Sequence, residues 1–241
     1  MHVAFISDLH LTSADEATDR RFRKFTRGAA RRLDHLYVLG DLFDYWLGDA
    51  QLDWDVYARS VVDEFASLAR SGTRLHLMRG NRDFLLGHRF ARAAGARLMP
   101  EREVLRLEDA DVLVMHGDEL CTDDIRYQRV RPMLRSRAFA MIANRLPRGY
   151  RQSLAERLRA KSIAHKSITA MSVMDANPLA IRRALERAGV RTLVHGHTHR
   201  PGRFDVPSAG TRHVLTDWQQ PAPLLGWKSG RGFYPLDDGG L

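Results

Sequence analysis

Asp8 and His10 in SDLH, Asp41 in GDLFDYW, Asn81 in GNRD, His116 in MHGD, and His197 and His199 in HGHTH are all able to ligate a metal, and each follows a short apolar run. A strand delivers a residue to a fixed point at its C-terminal end, so carboxylates and imidazoles distant in sequence can converge there. One aspartate between two histidine-rich half-sites suits a pair of cations. On this reading Asp8, His10 and His199 hold one ion, Asn81, His116 and His197 hold the other, and Asp41 bridges. Two divalent ions about 3.5–4 Å apart can activate a water, orient a phosphate ester and neutralise charge on phosphoryl oxygens. Carboxylate, carboxamide and imidazole together favour Mn²⁺, Fe or Zn²⁺ over an all-oxygen Ca²⁺ site, and a set without thiolate argues against structural zinc.

Each fragment alone has an ordinary explanation. Asp after an apolar run is common turn chemistry, and a buried His is commonly a hydrogen-bonded core residue. HGHTH is more pointed, because alternation brings His197 and His199 to one side of an extended segment. Five such motifs in this order, after VAFIS, LYVLG, LHLMRG, VLVM and TLVHG, exceed what turn chemistry explains.

Those ligands require a layered scaffold. Strand-like runs at 2–7, 36–39, 74–78, 112–115 and 192–194 alternate with helical patterns, which predicts an α/β architecture. Phe22, Phe25, Ala29 and Leu33 recur at helical spacing, as do Val62, Phe65, Ala66 and Ala69, and should cover the sheet. Asn177 with Pro178 predicts a helix start and Gly189 its stop. Short strands are expected at 214–216, 224–227 and 233–236. Trp46 reads as core packing rather than a ligand contact.

The 241-residue chain has room for one substantial core and contains no Pro/Gly/Ser-rich linker, so one domain with an insertion is expected. The core is read as residues 1–122 and 175–241, and the insertion as 123–174. Arginines from Arg126 and Arg129 through Arg131 and Arg135, followed by Lys161 and Lys166, face few acids in that segment. Leu134, Ala138, Met141, Ile142 and Leu146 follow helical spacing, so a basic amphipathic cap suited to an anionic interface is expected, rather than an ordinary solvated face. A net charge of +9 fits an anionic partner. The single cysteine, Cys121, excludes an intramolecular disulfide and reads as a packed small residue. The opening MHVAFISDLH lacks the tripartite pattern of a secretion signal, and no run approaches the roughly 20 apolar residues that span a bilayer.

The ordered set D-x-H, G-D, G-N-H/R-D/E, H-G and G-H-x-H resembles the calcineurin-like metallophosphoesterases, with a match running from Asp8 to His199. The resemblance implies a four-layer α/β/β/α sandwich with the dimetal site at strand ends. It also uses only the two histidines after Gly196, which leaves His195 a supporting role. GDLFDYWLGD, GNRDFLLGHRFAR, HGDELCTDD and HGHTHRP are similar to a branch of that family acting in lipid A biosynthesis. For this branch the resemblance implies Mn²⁺-dependent attack of water on the UMP-side phosphorus of a UDP-linked 2,3-diacylglucosamine. It further implies work on the cytoplasmic side of the inner membrane of a Gram-negative bacterium, peripheral to an anionic surface, with the basic insertion as a lipid-binding cap.

Arg82 stands where many members of the family carry His. A guanidinium cannot act as a general acid near neutral pH, but its planar fork can grip phosphoryl oxygens. Arg82 and Asn81 are therefore the expected catalytic and phosphate-binding pair, with His197 also touching substrate; the plainer alternative is that Arg82 pairs with Asp83. In the cap, Asp124 and Ser162 match the branch's substrate contacts, whereas Lys166 stands at its Asn position and Thr169 at its Lys position. A nuclease or soluble nucleotide pyrophosphatase is the competing enzyme reading, and a scaffold without catalysis the competing non-enzyme one. The cap shows no interleaved aromatic stripe of the kind that stacks single-stranded bases, so no nucleic-acid partner is expected.

Overall fold

The computed structural model describes residues 1–147, 149–150, 153, 175–219 and 222–238. One sheet contains β1 (His2–Ile6), β2 (His35–Leu39), β3 (Arg74–Met78), β4 (Ala96–Leu98), β10 (Leu224–Lys228) and β11 (Gly232–Leu236), in the order β11-β10-β1-β2-β3-β4. The other contains β5 (Arg102–Arg106), β6 (Asp111–Met115), β7 (Thr192–His195), β8 (Gly202–Val206) and β9 (Gly210–Val214), in the order β5-β6-β7-β9-β8. β1 to β4 run parallel, as do β6, β7 and β9, while β5, β8, β10 and β11 pair antiparallel.

Side-chain alternation builds four layers from these two sheets. Ala4, Ile6, Leu36, Val38, Leu75 and Leu77 face outward beneath helices α1 (Glu16–Arg27), α2 (Val56–Arg70) and α3 (His88–Ala93), against Phe22, Phe25, Phe65 and Phe90. Val3, Phe5, Tyr37, Leu39 and Met78 point the other way and meet Leu105, Val112, Val114 and Val194 of the second sheet. On its far face, Leu113, Met115 and Leu193 pack against Ile181 and Leu185 of α6 (Pro178–Ala188). The α/β/β/α order follows directly. Burying one such Phe or Leu side chain stabilises by about 1.5–3 kcal/mol.

Helix ends follow the local chemistry. Asn177 accepts from the N–H of Leu179 and of Ala180, Pro178 opens α6, and Gly189 closes it in the left-handed region at φ 66°. The expected stripe Phe22–Phe25–Ala29–Leu33 is buried, but α1 ends at Arg27 and a 3₁₀ turn over Ala29–Arg32 continues it. The strand expected at 214–216 instead ends at Val214, and Asp217, three residues on, reaches His199. Trp46 is buried, stacked on Phe43 and edge-on to Phe90, as a core residue should be.

After β6 the chain forms α4 (Ile125–Leu134) and α5 (Arg137–Arg145), within the segment read from sequence as an insertion. The apolar spacing from Leu134 to Leu146 runs across a break, since Ser136 caps α5 by accepting from the N–H of Phe139 at 3.1 Å. Ile125, Val130, Met133, Met141 and Ile142 are exposed. Not all of the positive charge faces solvent: Arg131 and Arg135 turn back to pair with Asp118 and Glu101 of the core. Ser162, Lys166 and Thr169 lie outside the described residues.

Candidate metal centre

The C-terminal ends of β1, β2, β3, β6 and β7 lead directly into Asp8 and His10, Asp41, Asn81, His116, and His197 and His199 respectively. Ligand atoms of Asp8, His10 and His199 lie within 4.8 Å of one another, and so do those of Asp8, Asp41 and His116. Nε2 of His199 is 3.5 Å from Oδ1 of Asp8, Nε2 of His10 is 3.9 Å from Oδ2 of Asp41, and Nε2 of His116 is 3.7 Å from Oδ1 of Asp41. Asn81 adds Oδ1 at 2.9 Å from His116 Nε2. His197 joins neither three-residue group; its ring lies edge-on to His116 at 5.1 Å and its backbone N–H donates to Asp8 Oδ2. Asp8 thus reaches both half-sites, a sharing the sequence assigned to Asp41 alone.

Neighbouring groups fix these side chains. Nδ1 of His116 bonds the carbonyl of Leu39 at 2.8 Å, and Nδ1 of His199 bonds Asp217 Oδ2 at 3.0 Å, so each ring turns Nε2 inward. Ser7 donates to Asp8 Oδ2 at 2.6 Å. Buried Asp83 gathers the N–H groups of Gly80, Leu42 and Asp41, which binds the second and third strand-end loops together. Arg82 therefore does not pair with Asp83. Its backbone N–H donates to Asp41 Oδ1 at 2.8 Å, and its guanidinium forms no ion pair among the described residues.

The donor set fits cations. His116 turns Nδ1 onto the Leu39 carbonyl and so presents Nε2 beside the Asn81 Oδ1, 2.9 Å away, two atoms that can both serve as ligands. Two atoms each about 2.1 Å from one ion have a comparable separation. Among the described residues, Asp8 Oδ1 is buried without a hydrogen-bond partner. Burial lowers the pKa of His10 and carries that of His197 down to about 4, so both favour the neutral imidazole, the form able to ligate a metal. For Asp8 burial opposes ionisation, but His116, His199 and His10 outweigh it and hold the carboxyl below its usual range. Burial likewise opposes a charged His116, yet Asp41, Asp8 and Asp118 raise its pKa.

The backbone carries a further mark of the site. Among the described residues six non-glycine positions have positive φ, and five of them are Asp8 (54°), His10 (49°), Asp41 (52°), His197 (67°) and His199 (52°). Such a conformation costs on the order of 1–2 kcal/mol per residue. Tight surroundings enforce it. At Gly196 an added Cβ would lie 2.1 Å from Ser7 Oγ and 2.3 Å from Asp8 Oδ2.

His195 is fully buried, with Nδ1 on the Gly196 carbonyl and a pKa carried down by burial to about 4, consistent with a supporting place. Asp124 caps the N-terminus of α4, where Oδ1 accepts from the N–H of Tyr127. Asp217 was not among the expected site residues. Its signal is the pattern shared by the others: HVLT, the end of β9, followed by Asp.

The profile of the calcineurin-like phosphoesterase family matches residues 1–201. A UDP-2,3-diacylglucosamine hydrolase from Pseudomonas aeruginosa is 42% identical over 223 residues, covering 91% of this chain and 92% of that protein. A protein of the same name from Aromatoleum aromaticum is 42% identical over 230 residues, covering 94% and 93%. Among solved structures, Vacuolar Protein Sorting 29 from Cryptosporidium parvum aligns with a TM-score of 0.50 at 14% identity, over 99% of this chain and 92% of its own, a likeness of fold alone. On the length of the family match and the identity to these relatives, the chain belongs to the calcineurin-like phosphoesterases.

Proposed function

We propose that this protein is a hydrolase of UDP-2,3-diacylglucosamine in lipid A biosynthesis: water attacks the UMP-side phosphorus and releases UMP and 2,3-diacylglucosamine 1-phosphate. The observation that carries this reading is the near end-to-end match to hydrolases of that name, in a chain whose ligand set converges at the strand ends.

A pair of divalent ions, taken here as Mn²⁺, supplies when bound an activated water and positive charge beside the phosphoryl oxygens. Asp8, His10 and His199 would hold one ion and Asn81, His116 and His197 the other, with Asp41 between them and Asp8 close to both. Asn81 and His197 also face the phosphate, and the Arg82 guanidinium neutralises charge developing on the phosphoryl oxygens in the transition state. The departing sugar phosphate is a weak base, so the lack of a histidine at position 82 leaves no general acid to replace.

The cap, residues 123–174, supplies the rest of the substrate's surroundings. Its exposed Ile125, Val130, Met133, Met141 and Ile142 suit acyl chains, and its outward arginines, such as Arg126 and Arg129, suit an anionic membrane surface. Asp124, Ser162, Lys166 and Thr169 are assigned to the glucosamine and phosphate contacts. Among the described residues no helix is long and apolar enough to cross a membrane. The proposed location, peripheral attachment at the cytoplasmic face of the inner membrane, rests on the acylated substrate and the outward arginines.

Purified protein supplied with Mn²⁺ should release UMP from UDP-2,3-diacylglucosamine, at a rate that falls steeply as the acyl chains shorten. Absence of UMP release from a preparation that hydrolyses single-stranded DNA or short-chain UDP-sugars well overturns the reading.

A further inference from the structure

Helix α4 contacts the core in an unusual way. None of its residues is buried, yet Tyr127, Arg131 and Arg135, spaced four apart on one stripe, all reach the same carboxylate. Nε of Arg131 lies 2.8 Å from Asp118 Oδ2 and Nη2 of Arg135 lies 3.0 Å from it, and the Tyr127 hydroxyl donates to the same oxygen. Gln128 adds hydrogen bonds to the carbonyls of Asp118 and Cys121 at 2.8 and 3.0 Å. Arg131 also pairs with Glu101 at 2.7 Å, and Arg135 reaches the carbonyl of Arg79 at 3.4 Å.

The helix is therefore inverted. Its charged stripe faces the protein, and Ile125, Val130 and Met133 on the opposite side face outward. Apolar packing, which is non-directional, does not hold this element in register; directional bonds to one buried carboxylate do. That carboxylate stands two residues after His116, and the Arg79 carbonyl touched by Arg135 stands two residues before Asn81. Asp118 belongs to neither ligand group of the metal centre.

We infer that Asp118 is a positioning residue that registers α4 on the two loops bearing His116 and Asn81, and so sets how the acylated half of the substrate meets the reacting phosphorus. This rests on the substrate reading above. A small phosphodiester has no acyl portion for α4 to align and should not sense the loss.

The test uses the full-length Mn²⁺-loaded enzyme with Arg131→Lys and Tyr127→Phe, which alter the contacts from α4 and leave the Asp118 carboxylate beside the metal centre in place. For UDP-2,3-diacylglucosamine the variants should raise KM by about tenfold, with little change in kcat, while kcat/KM for bis(p-nitrophenyl) phosphate stays within about twofold of the parent. Trypsin should also cut within α4 and α5 about tenfold faster in the variants than in the parent, because the local opening of this segment becomes easier. Equal losses on both substrates, or an unchanged KM with unchanged cleavage, overturn the inference. If the parent itself releases no UMP, the substrate reading fails while proteolysis still decides whether Asp118 holds α4.

Discussion

Nδ1 of His199 lies 3.0 Å from Oδ2 of Asp217, and the opposite ring nitrogen, Nε2, lies 3.5 Å from Oδ1 of Asp8. The carboxylate after β9 thus fixes both the tautomer and the plane of an imidazole that follows β7. Strands β7 and β9 are paired neighbours, so the bond spans adjacent strand ends and makes the orientation of His199 a property of the sheet.

Asp217→Asn should weaken Mn²⁺ binding or turnover by about 10- to 100-fold, the usual consequence of altering a partner of a metal-bound histidine. Mn²⁺ titration of the apo-protein, together with turnover at saturating metal, separates the two effects.

Asp41→Ala and His116→Ala should each abolish turnover and leave fewer than two ions per chain by elemental analysis. Neither side chain contributes to the three apolar clusters, so the far-UV circular dichroism of both variants should match the parent.

Arg82→Ala should lower kcat by about 10²- to 10³-fold with a smaller change in KM, as expected for a group whose contact strengthens in the transition state. Steady-state kinetics on UDP-2,3-diacylglucosamine provide the check, and a change confined to KM would place the guanidinium in ground-state binding.

Gly196→Ala should displace Asp8, since the new methyl would overlap the Ser7 hydroxyl and the Asp8 carboxylate. The expected loss is about 1–3 kcal/mol of stability together with reduced Mn²⁺ affinity. Gly149→Ala, where among the described residues no atom lies within 4 Å of the added carbon, serves as the control and should change neither.

The convergence of residues at the strand ends was legible because one local rule, an apolar run followed by a polar side chain, repeats along the chain. Asp217 obeys the same rule but falls beyond the last recognisable motif, HGHTH. Strands β4, β5 and β8 escaped notice for a different reason: β4 is three residues long, and β5 and β8 are edge strands rich in charge, as in REVLR and GRFDV. The twofold reach of Asp8 depends on loop conformation, which periodicity does not encode. Arg131 and Arg135 look like surface charge in sequence, because nothing local reveals that Asp118 lies beneath them.

The left-handed backbone at Asp8, His10, Asp41, His197 and His199 narrows the alphabet open to those positions. Aspartate, asparagine and histidine tolerate that geometry far better than branched or bulky residues do. The same three side chains can coordinate a cation, so steric selection and inorganic chemistry favour the same few letters. A lineage that abandoned catalysis while keeping these loops would still be steered toward residues that look like ligands, and only loosening of the loops would let them drift.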